Sequence, residues 1–152
     1  MQIYIDGDGC PVVEETLTVA RRYAVPCTIC CDTSHVFEKP GAKTLVFSKG
    51  ADSVDFALVN LIKAGDLVVT QDYGLAAMCL ARKAFVLDQN GREYRDDNID
   101  AMLLQRHTAR KIRAGGGRLR GPAKRKSEQD AAYQESLEAL LQRVLQEETE
   151  WN

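Results

Sequence analysis

A chain of 152 residues, 45% of them apolar, can bury a core and suits one α/β domain. It has no run of about 18 apolar residues to span a bilayer. Its N-terminus also lacks the basic-then-apolar pattern of a secretory leader, so a cytoplasmic bacterial protein is expected. The formal net charge of -2 hides an asymmetry: nine basic residues and no acid fall between Arg106 and Lys126, leaving eleven basic against twenty-two acidic groups elsewhere.

Residues 2–6 read as a first strand, apolar on both faces as in a central parallel strand. Cys10 and Pro11 then open a helix ending near Ala24. Glu14 and Glu15 suit the positive end of its dipole, and Val12, Val13, Thr16, Leu17 and Ala20 set its period. VPCTICC is the second strand. Its C-x-x-C lacks the helix N-terminus of a redox pair and the further ligands of a zinc knuckle, so the cysteines are expected to pack as small hydrophobes. A Pro- and Gly-punctuated loop containing His35 leads to KTLVFS, the third strand.

A helix is expected from about Asp52, with Val54, Ala57, Leu58, Leu61 and Ile62 inward and Gly65 as its stop. LVVT is the fourth strand and QDYGLAAMCLARKA the next helix. FVLDQNGREY reads as two short strands turning at Asn90 and Gly91. Asp96, Asp97 or Asn98 caps a helix through IDAMLLQRHTARKIRA, which carries His107 on a basic face. Neither histidine completes a Ser/His/Asp or Cys/His triad. The expected organisation is a core over 1–114, a basic Gly-rich linker over 115–127, and a C-terminal amphipathic helix over 128–152 packed on the core. The stripe of that helix is Tyr133, Leu137, Leu140, Leu141, Val144 and Leu145. Alternating strands and helices imply a mostly parallel sheet with helices on both faces.

In a right-handed βα succession, strand ends and the starts of the following helices collect along one rim. Asp6 and Asp8 follow the first strand. Asp52 and Asp55 open the helix after the third, and Asp72 follows the fourth with Thr70 beside it. Carboxylates that meet raise one another's pKa unless a cation neutralises them, and all-oxygen clusters suit Mg²⁺ or Mn²⁺. Taken singly, Asp8, Asp52 and Asp72 also read as turn or cap residues. Asp6, a strand-terminal acid in an apolar run, has no such explanation. Asp66 belongs to the opposite rim as a turn residue.

The motifs IYIDGDGCPV, GADSVDFALVNLIKAGDLVVTQDYGLA, NGREY and GGGRLRGP resemble, in order and over nearly the whole chain, the bacterial YaiI/YqxD family, regarded as a relative of PIN-type nuclease domains. The resemblance implies a PIN-like three-layer α/β/α sandwich in which Asp6, Asp55 (with Asp52) and Asp72 bind Mg²⁺ or Mn²⁺. Asp8 is an added acid, and Asp88 is a candidate for a further one that its setting equally places in a turn. On this reading Asp6, Asp8, Asp55 and Asp72 are catalytic, and Asp6, Asp8, Asp52, Asp55 and Asp72 are the metal ligands of a nuclease, RNA before DNA. Thr70, Arg110, Arg113, Arg118, Arg120 and Lys124 contact substrate, the basic ones within the nucleic-acid-binding stretch 106–126. The rival readings are a catalytically silent nucleic-acid- or partner-binding module and a haloacid dehalogenase-type phosphatase. The second lacks the Thr expected two residues after Asp8, where Cys10 stands. The sequence leaves monomer and homodimer open.

Overall fold

The computed structural model describes residues 1–32, 39–47, 53–104 and 124–151. Six strands form one sheet: β1 (Ile3–Asp6), β2 (Cys27–Asp32), β3 (Lys43–Phe47), β4 (Leu67–Val69), β5 (Phe85–Leu87) and β6 (Glu93–Tyr94). Among the described residues five helices accompany them: α1 (Val13–Arg22), α2 (Ser53–Leu61), α3 (Tyr73–Ala81), α4, described over residues 99–104, and α5 (Ser127–Trp151). The expected Asp52, His35, His107, Arg110, Arg113, Arg118 and Arg120 lie outside the described residues. No described helix is long and apolar enough to cross a membrane.

The strand order is β3-β2-β1-β4-β5-β6, parallel throughout except for β6, which runs antiparallel to β5. β1 is central, pairing Ile3 with Cys27 on one side and with Leu67 on the other. The chain grows outward from it first through β2 and β3, then through β4 and β5. The C-terminal ends of β1 and β4 therefore flank the point where the winding reverses, where doubly wound sheets open a crevice.

Side-chain alternation divides the core in two. Ile3, Ile5, Ile29, Leu67, Val69 and Leu87 belong with residues of α1 and α5, whereas Tyr4, Cys30, Val68 and Val86 belong with residues of α2, α3 and α4. The amphipathic stripe of α5 lies in the first cluster, where Tyr133, Leu137 and Leu141 are fully buried. Each such side chain contributes about 1.5–3 kcal/mol. The Tyr133 hydroxyl meets Thr16 Oγ1 of α1 at 2.7 Å, which satisfies both groups away from water. Nearer the surface, Arg22 of α1 pairs with Glu138 of α5.

The expected hairpin at Asn90 and Gly91 closes around Asp88. This acid is buried, and its Oδ1 accepts from Asn90 N and Arg92 N, both at 2.8 Å, so it builds the turn. Arg125, expected in the linker, is anchored here too. Its guanidinium donates to Gln89 O, Asn90 Oδ1 and Asp130 Oδ1, tying the start of α5 to the hairpin. Cys27, Cys30, Cys31 and Cys79 are buried free thiols, and burial pushes Cys27, Cys30 and Cys79 up to about 12, as expected of packing residues.

Gly91 has φ +82°, and a Cβ built there falls 2.5 Å from Ser136 Oγ of α5. Gly91→Ala therefore combines a left-handed backbone with a clash, and thermal or urea unfolding is expected to show a loss of about 2–4 kcal/mol. A loss below about 0.5 kcal/mol would mean that the hairpin does not press on α5 as described.

Candidate functional site

The rim begins with Asp6, the last residue of β1. The three strand residues before it are buried, and its carboxylate emerges only partly into solvent. The strand places it beside the end of β4, where Thr70 is buried with its N–H donating to Leu87 O at 3.0 Å. The Thr70 hydroxyl donates to Asp6 Oδ2 at 2.8 Å and accepts from Asp72 N at 3.0 Å. Thr70, expected as a substrate contact, thus positions Asp6 and the turn into α3.

Asp72 is the N-cap of α3. Its Oδ1 accepts from Gly74 N at 2.8 Å and Leu75 N at 3.1 Å, while Oδ2 takes no part in the cap. The cap reading of this residue is therefore met by one of its two oxygens. Asp8 lies in the turn leaving β1, and its carboxylate accepts from Asp32 N at the end of β2. Gly9, with φ +74°, completes this turn, and its carbonyl accepts from Gln71 Nε2 at 2.8 Å. The loops after β1 and β4 are thereby fastened across the switch point.

Burial is the largest influence on Asp6 and raises its pKa. The Thr70 hydrogen bond pulls it back, while the charges of Asp72 and Asp8 raise it further, to about 6. Asp55, in the first turn of α2, raises the Cys79 thiol as Asp6 does, whereas the charges that act on Asp6 itself are those of Asp72 and Asp8. The structure thus couples Asp6 to Asp8 and Asp72, with Asp55 linked to it only through their shared effect on Cys79. Among the described residues, however, no three His, Cys, Asp or Glu side chains form a ready-made metal cage. Lys124 is exposed next to the anchored Arg125. Asp66, at the far rim, accepts from Gln2 N and Lys63 N, the stapling role of a turn residue.

Sequence reasoning did not single out Tyr94. It is buried with its hydroxyl unpartnered among the described residues, and its ring stands edge-on to Tyr73 at 5.7 Å, at the start of α3. Burial raises its pKa, and the charges of Asp88 and Asp72 act in the same direction. Its neighbours come from separate elements, so no local motif announces it.

The profile of the bacterial family described as uncharacterised, YaiI/YqxD, matches residues 4–143. The chain is 50% identical over 141 residues to a UPF0178 protein of Exiguobacterium sibiricum, covering 93% of this chain and 96% of that one. It is 44% identical over 145 residues to one of Clostridium acetobutylicum, covering 94% and 98%. With one of Enterococcus faecalis the identity is 40% over 148 residues, covering 95% and 100%. No solved structure matches.

Because the folded state raises Asp6, it binds that proton more tightly than the unfolded chain does, so the charge erodes stability as pH rises from about 4 through 6. In metal-free buffer with a chelator, Asp6→Asn is expected to gain about 2–3 kcal/mol relative to wild type between pH 4 and pH 8, measured by urea unfolding. A difference that stays constant with pH would mean that Asp6 titrates as an exposed acid.

Proposed function

The chain belongs to the YaiI/YqxD family, and we propose that its acidic rim is a divalent-metal-dependent phosphodiesterase site acting on nucleic acid, with RNA as the first substrate class. The observation that carries this reading is Asp6, a part-buried carboxylate raised to about 6 at the sheet's switch point and pressed by Asp72 and Asp8. A charge held there at a loss of stability is typical of a functional position. The PIN-like three-layer fold implied by the family resemblance belongs to the same reading, which asks for a parallel sheet, helices on both faces and acids at the C-terminal rim.

The donor set fits Mg²⁺ or Mn²⁺. All its ligands are hard oxygens, Asp72 Oδ2 stands outside the helix cap, and Asp6 carries the proton-sensitive charge that a cation relieves. Mg²⁺ keeps several waters and is commonly seated by one or two carboxylates plus substrate phosphate, so a cage of three protein ligands is not required. Asp6 and Asp72 would hold it, with Asp55 and Asp8 as nearby charges. When bound, such an ion acidifies a water and neutralises charge on the phosphate.

The chain's own residues supply the rest. Thr70 fixes the Asp6 carboxylate in place, and the α3 cap fixes Asp72. Asp6, ionised above about pH 6, presents above that pH the negative charge that seats a cation. Arg110, Arg113, Arg118, Arg120 and Lys124 are the proposed phosphate contacts, binding the nucleic-acid backbone in a salt-sensitive way.

A specific observation favours the silent binding module as the second reading. Asp8 and Asp72 already have structural work, accepting from Asp32 N and from Gly74 N and Leu75 N. Mn²⁺ calorimetry and cleavage of end-labelled single-stranded RNA separate the two. Asp6→Asn is expected to weaken Mn²⁺ binding at least about tenfold and cleavage about 100-fold, with wild-type Mn²⁺ affinity rising through about pH 6. RNA retention without metal, unchanged in Asp6→Asn and unaccompanied by cleavage, would establish the binding module instead.

A further inference from the structure

Between the β5–β6 hairpin and α5 lies an open cleft of about 560 Å³ whose described lining shares no residue with the acidic rim. Clefts of this size hold drug- or nucleotide-sized molecules. Leu87 and Leu140, both nearly fully buried, form its apolar floor. Among the described residues its charged groups are Arg92, Arg95, Arg143 and Glu93, a net of two positive charges.

Exposed arginines are ordinarily solvated surface groups. Here, however, the backbone beneath them is fixed while two guanidinium groups remain uncommitted. Arg92 N donates to Asp88 Oδ1 at 2.8 Å and Arg95 N to Asn98 Oδ1 at 2.9 Å, which pins both ends of β6. Neither guanidinium has a hydrogen bond or ion pair among the described residues. The third is held in place: Arg143 Nη2 donates to both Glu93 oxygens, at 3.1 and 3.3 Å. Ser136 places its hydroxyl against Gly91, where a side chain on the hairpin would fill the space.

We propose that this cleft binds a small phosphate-bearing molecule of nucleotide size. Arg92 and Arg95 take the phosphate by forked hydrogen bonds, the Arg143–Glu93 pair forms a fixed wall beside them, and the rest of the molecule lies against the exposed Ala139 of α5. Planar, multi-donor guanidinium groups on an anchored strand suit a compact phosphate group better than an extended polyanion, because α5 forms one wall of the cleft. The inference is independent of the rim and stands whether or not the rim holds a metal.

The test is calorimetric titration of the full chain with inorganic pyrophosphate and with ADP, at low ionic strength and with a chelator present. Wild type is expected to bind both saturably, ADP more tightly than pyrophosphate because its nucleoside adds contact with the α5 wall. The Arg92→Ala/Arg95→Ala double variant is expected to bind at least about tenfold more weakly, and Arg92→Lys/Arg95→Lys to fall between. Asp6→Asn is expected to bind ADP as wild type does, which separates this cleft from the rim. Circular dichroism melts confirm that the arginine variants fold. No saturable binding at millimolar concentrations, binding indifferent to the double alanine variant, or binding confined to oligonucleotides would each overturn the proposal.

Discussion

The 2.8 Å hydrogen bond from Thr70 to Asp6 joins the two strands at which the sheet reverses its winding. It satisfies one oxygen of a carboxylate that burial and two neighbouring acids would otherwise disfavour. Much of the rim is arranged around this contact. The same hydroxyl takes Asp72 N, which sets the turn into α3, and Gln71 reaches back to Gly9 in the loop after β1. The loops from the two central strands are thus locked to each other rather than hanging independently over the crevice.

The rest of the fold supplies the stability such a site draws on. β1 is buried on both faces between two apolar clusters, and α5 closes one of them with its stripe centred on Tyr133, Leu137 and Leu141. Buried apolar contacts of this extent can tolerate one disfavoured carboxylate. Placing that carboxylate at the strand end also keeps it part-exposed, so a water or cation can reach it without opening the core. Rigidity of the frame and electrostatic tension at the rim are therefore two consequences of one topology.

Much of this was legible in the sequence because it is local. Strand and helix positions followed from apolar runs and their periods, and the Asn90–Gly91 hairpin from its turn residues. Asp6 stood out because a strand-terminal acid has no capping role. The expected coupling of rim acids appears as the action of Asp72 and Asp8 on Asp6. That the cap of α3 takes only one oxygen of Asp72 could not be read from the sequence, since Oδ1 accepts both cap hydrogen bonds. Arg125 read as part of a linker because its partners Gln89 and Asn90 are more than thirty positions away. The cleft beside Arg92 and Arg95 was equally hidden: it exists only where a hairpin meets a helix that arrives some forty residues later. Contacts of that range leave no periodic or spacing signal in a single chain.

The central claim is that Asp6 is an electrostatically loaded carboxylate at the switch point, open to relief by a cation. Carboxyl carbon NMR of the aspartates, assigned through Asp6→Asn and titrated from pH 3 to 9 with and without Mg²⁺, measures it directly. An Asp6 inflection at about 6 without metal, moving to lower pH as Mg²⁺ is added, is the expected result. An inflection near the ordinary aspartate value of about 3.9, indifferent to Mg²⁺, would contradict it.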